Sequence, residues 1–226
     1  MSGSSRRPKT TLSGFTPNVE AIAGYKPDLV IAAYDPKGMS DGLEKLGIKV
    51  VVQDAPKTLA GAYQQIRQLG LMTGHLQQAT TTISGMKARI ETAVAKTRGR
   101  ASGLSVYHEL TPDFYSASSS SFIGKIYTML GLKNIADAAD GAGTGYPQLS
   151  AEYIVSSSPD LIVLADSVCC AQTRATVAAR PGFGTVKAVR TGSIVRIDDS
   201  IASRWGPRLV NYFRALERAI IRVTSS

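Results

Sequence analysis

The sequence predicts an α/β protein of two lobes with mainly parallel sheets, joined by one long backbone helix and separated by a ligand cleft. Three observations point to this class. Continuously apolar runs alternate with helical segments along the 226 residues, an uninterrupted helical pattern occupies residues 76–98, and a segment of the first half recurs in the second. Alternation of strand and helix is typical of parallel βαβ packing.

The first lobe is predicted over residues 1–75. Thr16 to Asn18 has the features of a helix entrance, with Pro at an early position. The apolar run from Leu29 to Ala33 predicts a strand buried on both faces. A short helix from Asp41 to Leu46 and a β-branched strand from Ile48 to Val52 follow. A further helix is predicted over residues 56–73.

The connecting helix is predicted over residues 76–98. Ile83, Met86, Ile90 and Val94 recur at helical spacing and form one apolar face. At 1.5 Å per residue such a helix would reach about 34 Å, which is the diameter of a small domain. We therefore expect it to act as a rod between the lobes.

The second lobe is predicted over residues 99–226, where the alternation of strand and helix resumes. Its strands are predicted at residues 104–107, 161–165 and 193–197, and its helices at 121–130, 153–156 and 207–223. In the last helix, Arg214, Arg218 and Arg222 recur every four residues opposite the apolar face. We expect these three arginines to face solvent.

An internal repeat relates the two lobes. Glu20, Ile22, Pro27, Asp28 and Leu29 each recur as the same residue type 132 positions later, within residues 152–161. In both copies a short helix leads through a Pro-Asp turn into an apolar strand. Two such units, one on either side of a long helix, predict a bilobed protein.

Composition limits the function classes. Apolar stretches end after five residues, whereas a bilayer span needs about 20, so no membrane span is predicted. The adjacent Cys169 and Cys170 cannot cross-link distant segments. The net charge of +9 is concentrated at the ends: residues 1–13 carry +3, and residues 170–226 carry nine Arg and one Lys against three acidic residues, a net +7. An anionic ligand, nucleic acid and a merely solvated helix face all fit this charge.

A set of short motifs resembles one protein family. They span residues 16–22, 26–31, 46–50, 66–70, 121–124, 130–137 and 158–162. In these motifs and their order the chain resembles the periplasmic or lipoprotein substrate-binding proteins of ABC importers for ferric siderophores, haem or cobalamin. In that family a strand, a helix and a second strand normally precede the segment that begins here at Leu12, as does a leader. We therefore expect an incomplete first lobe.

The resemblance implies a role and two partners. It implies a monomeric, extracytoplasmic receptor that holds a metal chelate and delivers it to an ABC permease in the membrane, with no cofactor of its own. Glu20 and Glu152, which are equivalent in the repeat, are the counterparts of the family's permease-docking glutamates. Placement of a carboxylate at a helix N-terminus is the alternative explanation of both.

Ligand contacts are expected in loops that follow the strand ends facing the cleft. The candidates are Tyr34, Tyr107, His108, Tyr115, Ser121, Arg204 and Trp205. The indole of Trp205 beside the guanidinium of Arg204 suits a planar or anionic chelate, although a Trp there could equally fill the core. Ser121 begins a helix, so it could hold an anion or simply cap the helix. His108 or a tyrosine could contact haem iron.

The sequence thus predicts a non-enzymatic receptor for an iron chelate, either a ferric siderophore or haem, with cobalamin as the alternative. An α/β enzyme using Asp166, Cys169 or His108 is a further alternative, but no nucleophile and base are recognisable together. A nucleic-acid binder would need a recognition motif, which the sequence lacks. With only two histidines, a site for free zinc or manganese is disfavoured.

Overall fold

The computed structural model describes residues 10, 12–14, 16–198, 201 and 204–225. The fold divides into two compact units, residues 1–55 and 56–226. The described strands pair in parallel in both units, which confirms the predicted α/β class.

The first unit contains a two-stranded parallel sheet. Its elements are α1 (Val19–Gly24), β1 (Leu29–Ala32), a 3-10 turn (Pro36–Gly38), α2 (Met39–Lys45) and β2 (Lys49–Val52). Strand β1 pairs with β2 from Leu29 opposite Lys49 to Ala32 opposite Val52. Helix α2 packs against β2 and α1 against α2, so the predicted order of helix and strand is confirmed.

The burial expected for β1 is wrong. Ile31 is 51% exposed and Val52 at the end of β2 is 40% exposed. Within the described part of this unit, Met39, Leu43 and Val51 are the buried apolar side chains. The reason is that a strand side chain is buried only where another element covers that face of the sheet, and an apolar run alone does not supply this cover.

The second unit is larger and centres on a four-stranded sheet. Its elements are α3 (Leu59–Met72), α4 (Leu76–Thr97), β3 (Ser105–Glu109), α5 (Phe122–Leu130), β4 (Lys133–Asn134), α6 (Ala151–Ser157), β5 (Leu161–Leu164), α7 (Arg174–Ala178), α8 (Lys187–Arg190), β6 (Ile194–Arg196) and α9 (Leu209–Thr224), with 3-10 turns at Ile135–Ala139 and Phe183–Thr185. The strands run in parallel in the order β4-β3-β5-β6. The predicted strands and long helices of this region are confirmed, with ends shifted by a few residues.

Strand β5 shows the burial that a continuously apolar run predicts. All four of its residues are buried. Leu161 and Val163 pack into a core with α4, α5 and α9, whereas Ile162 and Leu164 pack into a second core with Phe183. Alternate side chains therefore fill cores on opposite faces of the sheet.

Helix α4 packs against α3 on one side and α9 on the other. A Cβ placed on Gly70 of α3 would lie 2.4 Å from the Cβ of Ala79, so glycine allows the close approach of the two helices. Lys96 of α4 pairs with Glu217 of α9 at 2.9 Å. The long helix is thus integral to the second unit. In the described ranges, every helix is too short or too polar to span a bilayer.

The internal repeat is reproduced in backbone geometry. Asn18 and Ser150, at equivalent positions, each cap the following helix with a side-chain oxygen. Lys26 and Ser158, again 132 residues apart, both adopt positive φ, at 49° and 40°. Left-handed backbone is uncommon for residues other than glycine, so its recurrence at equivalent positions supports a common structural unit.

Candidate functional site

The two glutamates predicted to dock a permease occupy matching positions. Glu20 lies in the first turn of α1 and Glu152 in the first turn of α6. Both side chains are exposed. Each carboxylate also benefits from the positive end of its helix dipole, so placement at the helix N-terminus and availability to a partner are compatible.

Two tyrosines among the predicted ligand contacts are available at the surface. Tyr34 follows β1, is 42% exposed and donates a hydrogen bond to the carbonyl of Gly14 at 3.1 Å. Tyr115 is 44% exposed and forms an isolated antiparallel bridge with Gln148. Both rings present surface that a ligand could contact.

Trp205 and Arg204 lie in the segment that precedes α9. Arg204 is exposed and Trp205 is partly buried, so the indole is not a sealed core side chain. Ser203, which precedes them in the chain, lies outside the described residues. The pair keeps the accessibility that a chelate-binding aromatic and guanidinium would need.

Tyr107 and His108, predicted as ligand contacts, belong to the interior instead. Both are 0% exposed on β3. His108 Nδ1 lies 2.5 Å from the hydroxyl of Tyr127 and 3.3 Å from that of Tyr212. Burial lowers the pKa of His108 to about 3 and raises that of Tyr107 well above its ordinary value. A ligand contact at these two positions does not fit their burial.

Ser121 acts as the N-cap of α5. Its Oγ accepts a hydrogen bond from the amide of Gly124 at 3.0 Å and donates one to the carbonyl of Ser118 at 2.8 Å. The residue is only 5% exposed. The capping explanation offered by the sequence accounts for both hydrogen bonds.

Five arginines lie between residues 170 and 205, and they divide into two groups. Arg180 donates two hydrogen bonds to Glu109, at 2.6 and 2.7 Å, and Arg174 donates to the carbonyls of Ile194 and Gly192. These two guanidinium groups are therefore engaged within the protein. The other three, Arg190, Arg196 and Arg204, are exposed and remain candidates for contact with an anion.

A buried polar cluster lies where β3 and β5 end. Glu109 and Asp166 are both 0% exposed. Arg180 bonds Glu109 and stacks on the rings of Phe114 and Phe183, with its guanidinium carbon 5.4 Å from each centroid. The sequence places Glu109 and Asp166 after strands, but nothing local indicates that Arg180, 71 residues from Glu109, completes the cluster.

A cavity of about 570 Å³ lies within the second unit, between the start of α3 and one face of α5. Its walls are largely apolar and include Leu59, Phe122 and Ile126, with Lys57 and Lys125 also lining it. The ammonium of Lys125 donates to the carbonyl of Lys57 at 3.2 Å. A cavity of this size and character suits a small ligand with an apolar body and anionic groups. Sequence reasoning missed it because its two walls are distant in the chain.

Cysteine, histidine and acidic side chains are the residues that, when grouped, could hold a metal ion. Cys169 and Cys170 are exposed thiols in the loop after β5. Across the described part of the chain, no three His, Cys, Asp or Glu side chains are grouped to hold a metal ion.

Residues 2–201 match the family model described as periplasmic binding protein. The chain belongs to this family, and the match includes the motifs that the sequence shares with the receptors of ABC importers. The helix-start glutamates and the paired strands described above lie within the matched residues.

Two curated relatives cover most of the chain. The uncharacterised ABC transporter substrate-binding lipoprotein YvrC of Bacillus subtilis (strain 168) is 29% identical over 90% of this chain and 65% of its own length. The cobalamin-binding protein of Halobacterium salinarum is 31% identical over 96% of this chain and 60% of its own length. The chain thus spans less than two thirds of the length of these relatives.

A solved structure shares the fold. The periplasmic haem-binding protein RhuT of Roseiflexus sp. RS-1, in its apo form, matches with a TM-score of 0.76 and 20% identity, covering 92% of this chain and 81% of its own. At this level of identity the likeness establishes the fold and leaves the ligand to other arguments.

Proposed function

We propose that the protein is the substrate-binding component of an ABC importer and captures an iron chelate, either a ferric siderophore or haem. Membership of the periplasmic binding protein family over residues 2–201 carries this proposal. In this role the chain works outside the cytoplasm, as a periplasmic or membrane-anchored receptor, and hands its ligand to a membrane permease. It binds and releases the chelate without catalysing a reaction.

Cobalamin is the second candidate ligand. It is favoured by one observation, the 31% identity to a protein named cobalamin-binding over 96% of this chain. The basic surface favours an anionic chelate over cobalamin, because exposed Arg190, Arg196 and Arg204 attract carboxylate or phenolate groups. The identity to the cobalamin-binding protein therefore favours cobalamin, whereas the exposed arginines favour an anionic iron chelate.

Four exposed or partly exposed side chains support ligand binding. Trp205 and Arg204 offer an aromatic surface beside a positive charge, and Tyr34 and Tyr115 add exposed rings. Tyr107, His108 and Ser121 are left out of the proposed contacts because each is buried. The apolar cavity beside α5 is a separate candidate surface, since none of these four side chains lines it.

Docking to the permease is assigned to Glu20 and Glu152. Their exposure, their equal places in two first turns and their relation by the internal repeat support this assignment. A pair of like carboxylates matches a transporter that presents two similar basic sites.

Titration of the single tryptophan tests the ligand. Fluorescence of Trp205, excited at 295 nm, is recorded while a ferric hydroxamate siderophore, haem or cyanocobalamin is added. We expect saturable quenching by an iron chelate, with weaker or no response to cobalamin. N-acetyltryptophanamide at matched absorbance corrects for light absorbed by the ligand.

Isothermal titration calorimetry of two variants tests whether Trp205 and Arg204 contact the ligand directly. Trp205→Phe keeps an aromatic ring, and Arg204→Gln removes the charge. Loss of affinity for the anionic chelate in Arg204→Gln, but not in the control Arg218→Gln, whose side chain is exposed on α9 and is not among the proposed contacts, supports direct contact. Saturable binding of cobalamin alone would replace the iron chelate by the second candidate, and absence of heat with all three ligands would contradict the proposal.

A further inference from the structure

Two buried carboxylates meet at one edge of the second unit's sheet. Glu109 is the last residue of β3, and Asp166 lies two residues beyond the end of β5. The strands are in register there, with Glu109 opposite Leu164 and the amide of Ala165 bonded to the Glu109 carbonyl at 2.9 Å. Since both side chains are 0% exposed, neither carboxylate can rely on water for its solvation.

The charges around this pair do not balance when both acids are ionised. The ionisable groups that face the pair are Tyr107 and Arg180. Arg180 donates two hydrogen bonds to Glu109 and a third to Gln172 at 2.9 Å. Neither oxygen of Asp166 has a hydrogen-bond donor among the described residues. Two carboxylates against one guanidinium would leave a buried negative charge without compensation, which is costly.

We propose that Glu109 and Asp166 share a single proton, and that loss of this proton releases the turn from Asp166 to Cys170. In the protonated form, the carboxyl of Asp166 donates an O–H···O bond to the Glu109 carboxylate, whose charge Arg180 balances. Deprotonation transfers the proton to water and breaks this bond. Two facing carboxylates then remain with one counter-charge, and the less anchored of them moves towards solvent.

Asp166 is the less anchored acid. Glu109 is held by the guanidinium of Arg180, whereas burial and then the neighbouring charge of Glu109 raise the pKa of Asp166 to about 7. Because the two acids interact strongly, the proton belongs to the pair and its loss is one event. The transition falls within the pH range that a receptor outside the cytoplasm meets.

The turn that follows is buried at Asp166 and Ser167 and exposed from Val168 to Cys170. The amide of Cys170 donates to the Asp166 carbonyl at 3.1 Å and closes the turn. Ser167 is buried and its Oγ donates to the carbonyl of Ile197 at 2.9 Å, which holds the start of the turn, whereas Val168 is 68% exposed. Ala171 leaves the turn with a positive φ of 54°. Movement of Asp166 thus changes the shape of an exposed loop at the end of β5.

The pH dependence of stability tests the shared proton. The equilibrium constant for unfolding is measured by urea titration between pH 5 and pH 9 for the wild type and Asp166→Asn. A native acid with a raised pKa stabilises the fold at low pH, and this stabilisation is lost as pH rises through about 7. Relative to Asp166→Asn, the wild type should therefore unfold about 100-fold more readily at pH 9 than at pH 5.

Asp160→Asn is the matched control. Burial opposes ionisation of Asp160, but hydrogen bonds from Lys187 and Ser105 outweigh it and lower its pKa. This substitution should weaken the fold by a constant factor between pH 5 and pH 9. If the unfolding constants of the wild type and Asp166→Asn kept a constant ratio from pH 5 to pH 9, the shared proton would be ruled out. Greater stability of the wild type at pH 9 in sodium than in tetramethylammonium, at equal ionic strength, would also rule it out. In that case a metal cation would compensate the second carboxylate.

Hydrogen exchange tests the turn. After correction for the intrinsic pH dependence, protection of the Cys170 amide should fall in the wild type between pH 6 and pH 8.5 and stay level in Asp166→Asn. Amides of β5 should stay protected in both proteins. Unchanged protection at Cys170 across this range would overturn release of the turn even where the stability ratio changes.

Discussion

His108 is kept neutral by its surroundings. The ring is completely buried, and its Nδ1 lies 2.5 Å from the hydroxyl of Tyr127, which in turn lies 2.5 Å from that of Tyr212. A chain of neutral groups in a dry interior favours an uncharged imidazole. The residue that sequence reasoning selects for a ligand thus contributes to the polar part of the core.

His108 should make the protein sensitive to acid. Its folded pKa of about 3 lies below the ordinary value of 6.5, so its contribution to stability is complete above pH 6.5 and is lost as pH falls towards 3. The expected slope is about 1.4 kcal/mol per pH unit in the free energy of unfolding. His108→Gln, which can still bond Tyr127, should reduce this slope in urea titrations.

The exposed His75 is the control for this experiment. His75→Gln should leave the acid slope as it is in the wild type. Comparison of each variant with the wild type at the same pH removes the opposite contribution of Asp166. Equal slopes for His108→Gln and the wild type would show that His108 accepts a proton in the folded protein.

Helix α5 depends on a close approach to the loop that precedes it. A Cβ on Gly124 would lie 1.8 Å from the carbonyl oxygen of Ser118, which no rotamer change can relieve because the clash is with backbone. The same loop supplies the capping Ser121, whose Oγ bonds the Gly124 amide. The position of α5 therefore depends both on the cap formed by Ser121 and on the absence of a side chain at Gly124.

Gly124→Ala should lower the free energy of unfolding by about 3 kcal/mol, because the helix must shift away from the loop. Gly85 of α4 is the control, since an added Cβ there meets nothing within 4 Å. Gly85→Ala should raise stability by about 0.5–1 kcal/mol through its higher helix propensity. Urea titration of both variants measures the difference, and equal stabilities would contradict the packing described for α5.

The whole protein combines a basic surface with two equivalent acidic positions. Much of the net charge of +9 comes from residues 170–226, yet Arg174 and Arg180 are used internally. Arg190, Arg196 and Arg204 are exposed and are the residues proposed to attract an anionic ligand. Glu20 and Glu152 are acidic residues that lie in the first turns of α1 and α6.

Removal of both helix-start glutamates should separate binding from transport. In Glu20→Gln combined with Glu152→Gln, we expect chelate affinity to be unchanged and uptake by cells carrying the permease to be abolished, because the docking charges are missing. Glu44→Gln combined with Glu91→Gln is the control, since both residues are exposed on other helices. Uptake at the wild-type rate in the Glu20 and Glu152 variant would contradict the assignment.

The sequence by itself determined the succession of elements. Apolar runs, helical periodicity, caps and the Pro-Asp turns act over a few residues, so helices such as α4 and strands such as β5 are predicted within a few residues of their ends. The structure adds to the repeat the positive φ that Lys26 and Ser158 share. The placement of Glu20 and Glu152 at helix starts was among the explanations that the sequence offered.

Only the tertiary structure decided which polar groups are accessible. Tyr107, His108 and Ser121 look like loop or strand-end residues, but the packing of other segments buries them. Glu109 and Arg180 meet across 71 residues, and the walls of the cavity come from α3 and α5. Burial is a property of neighbours brought together by folding, and local sequence does not specify those neighbours.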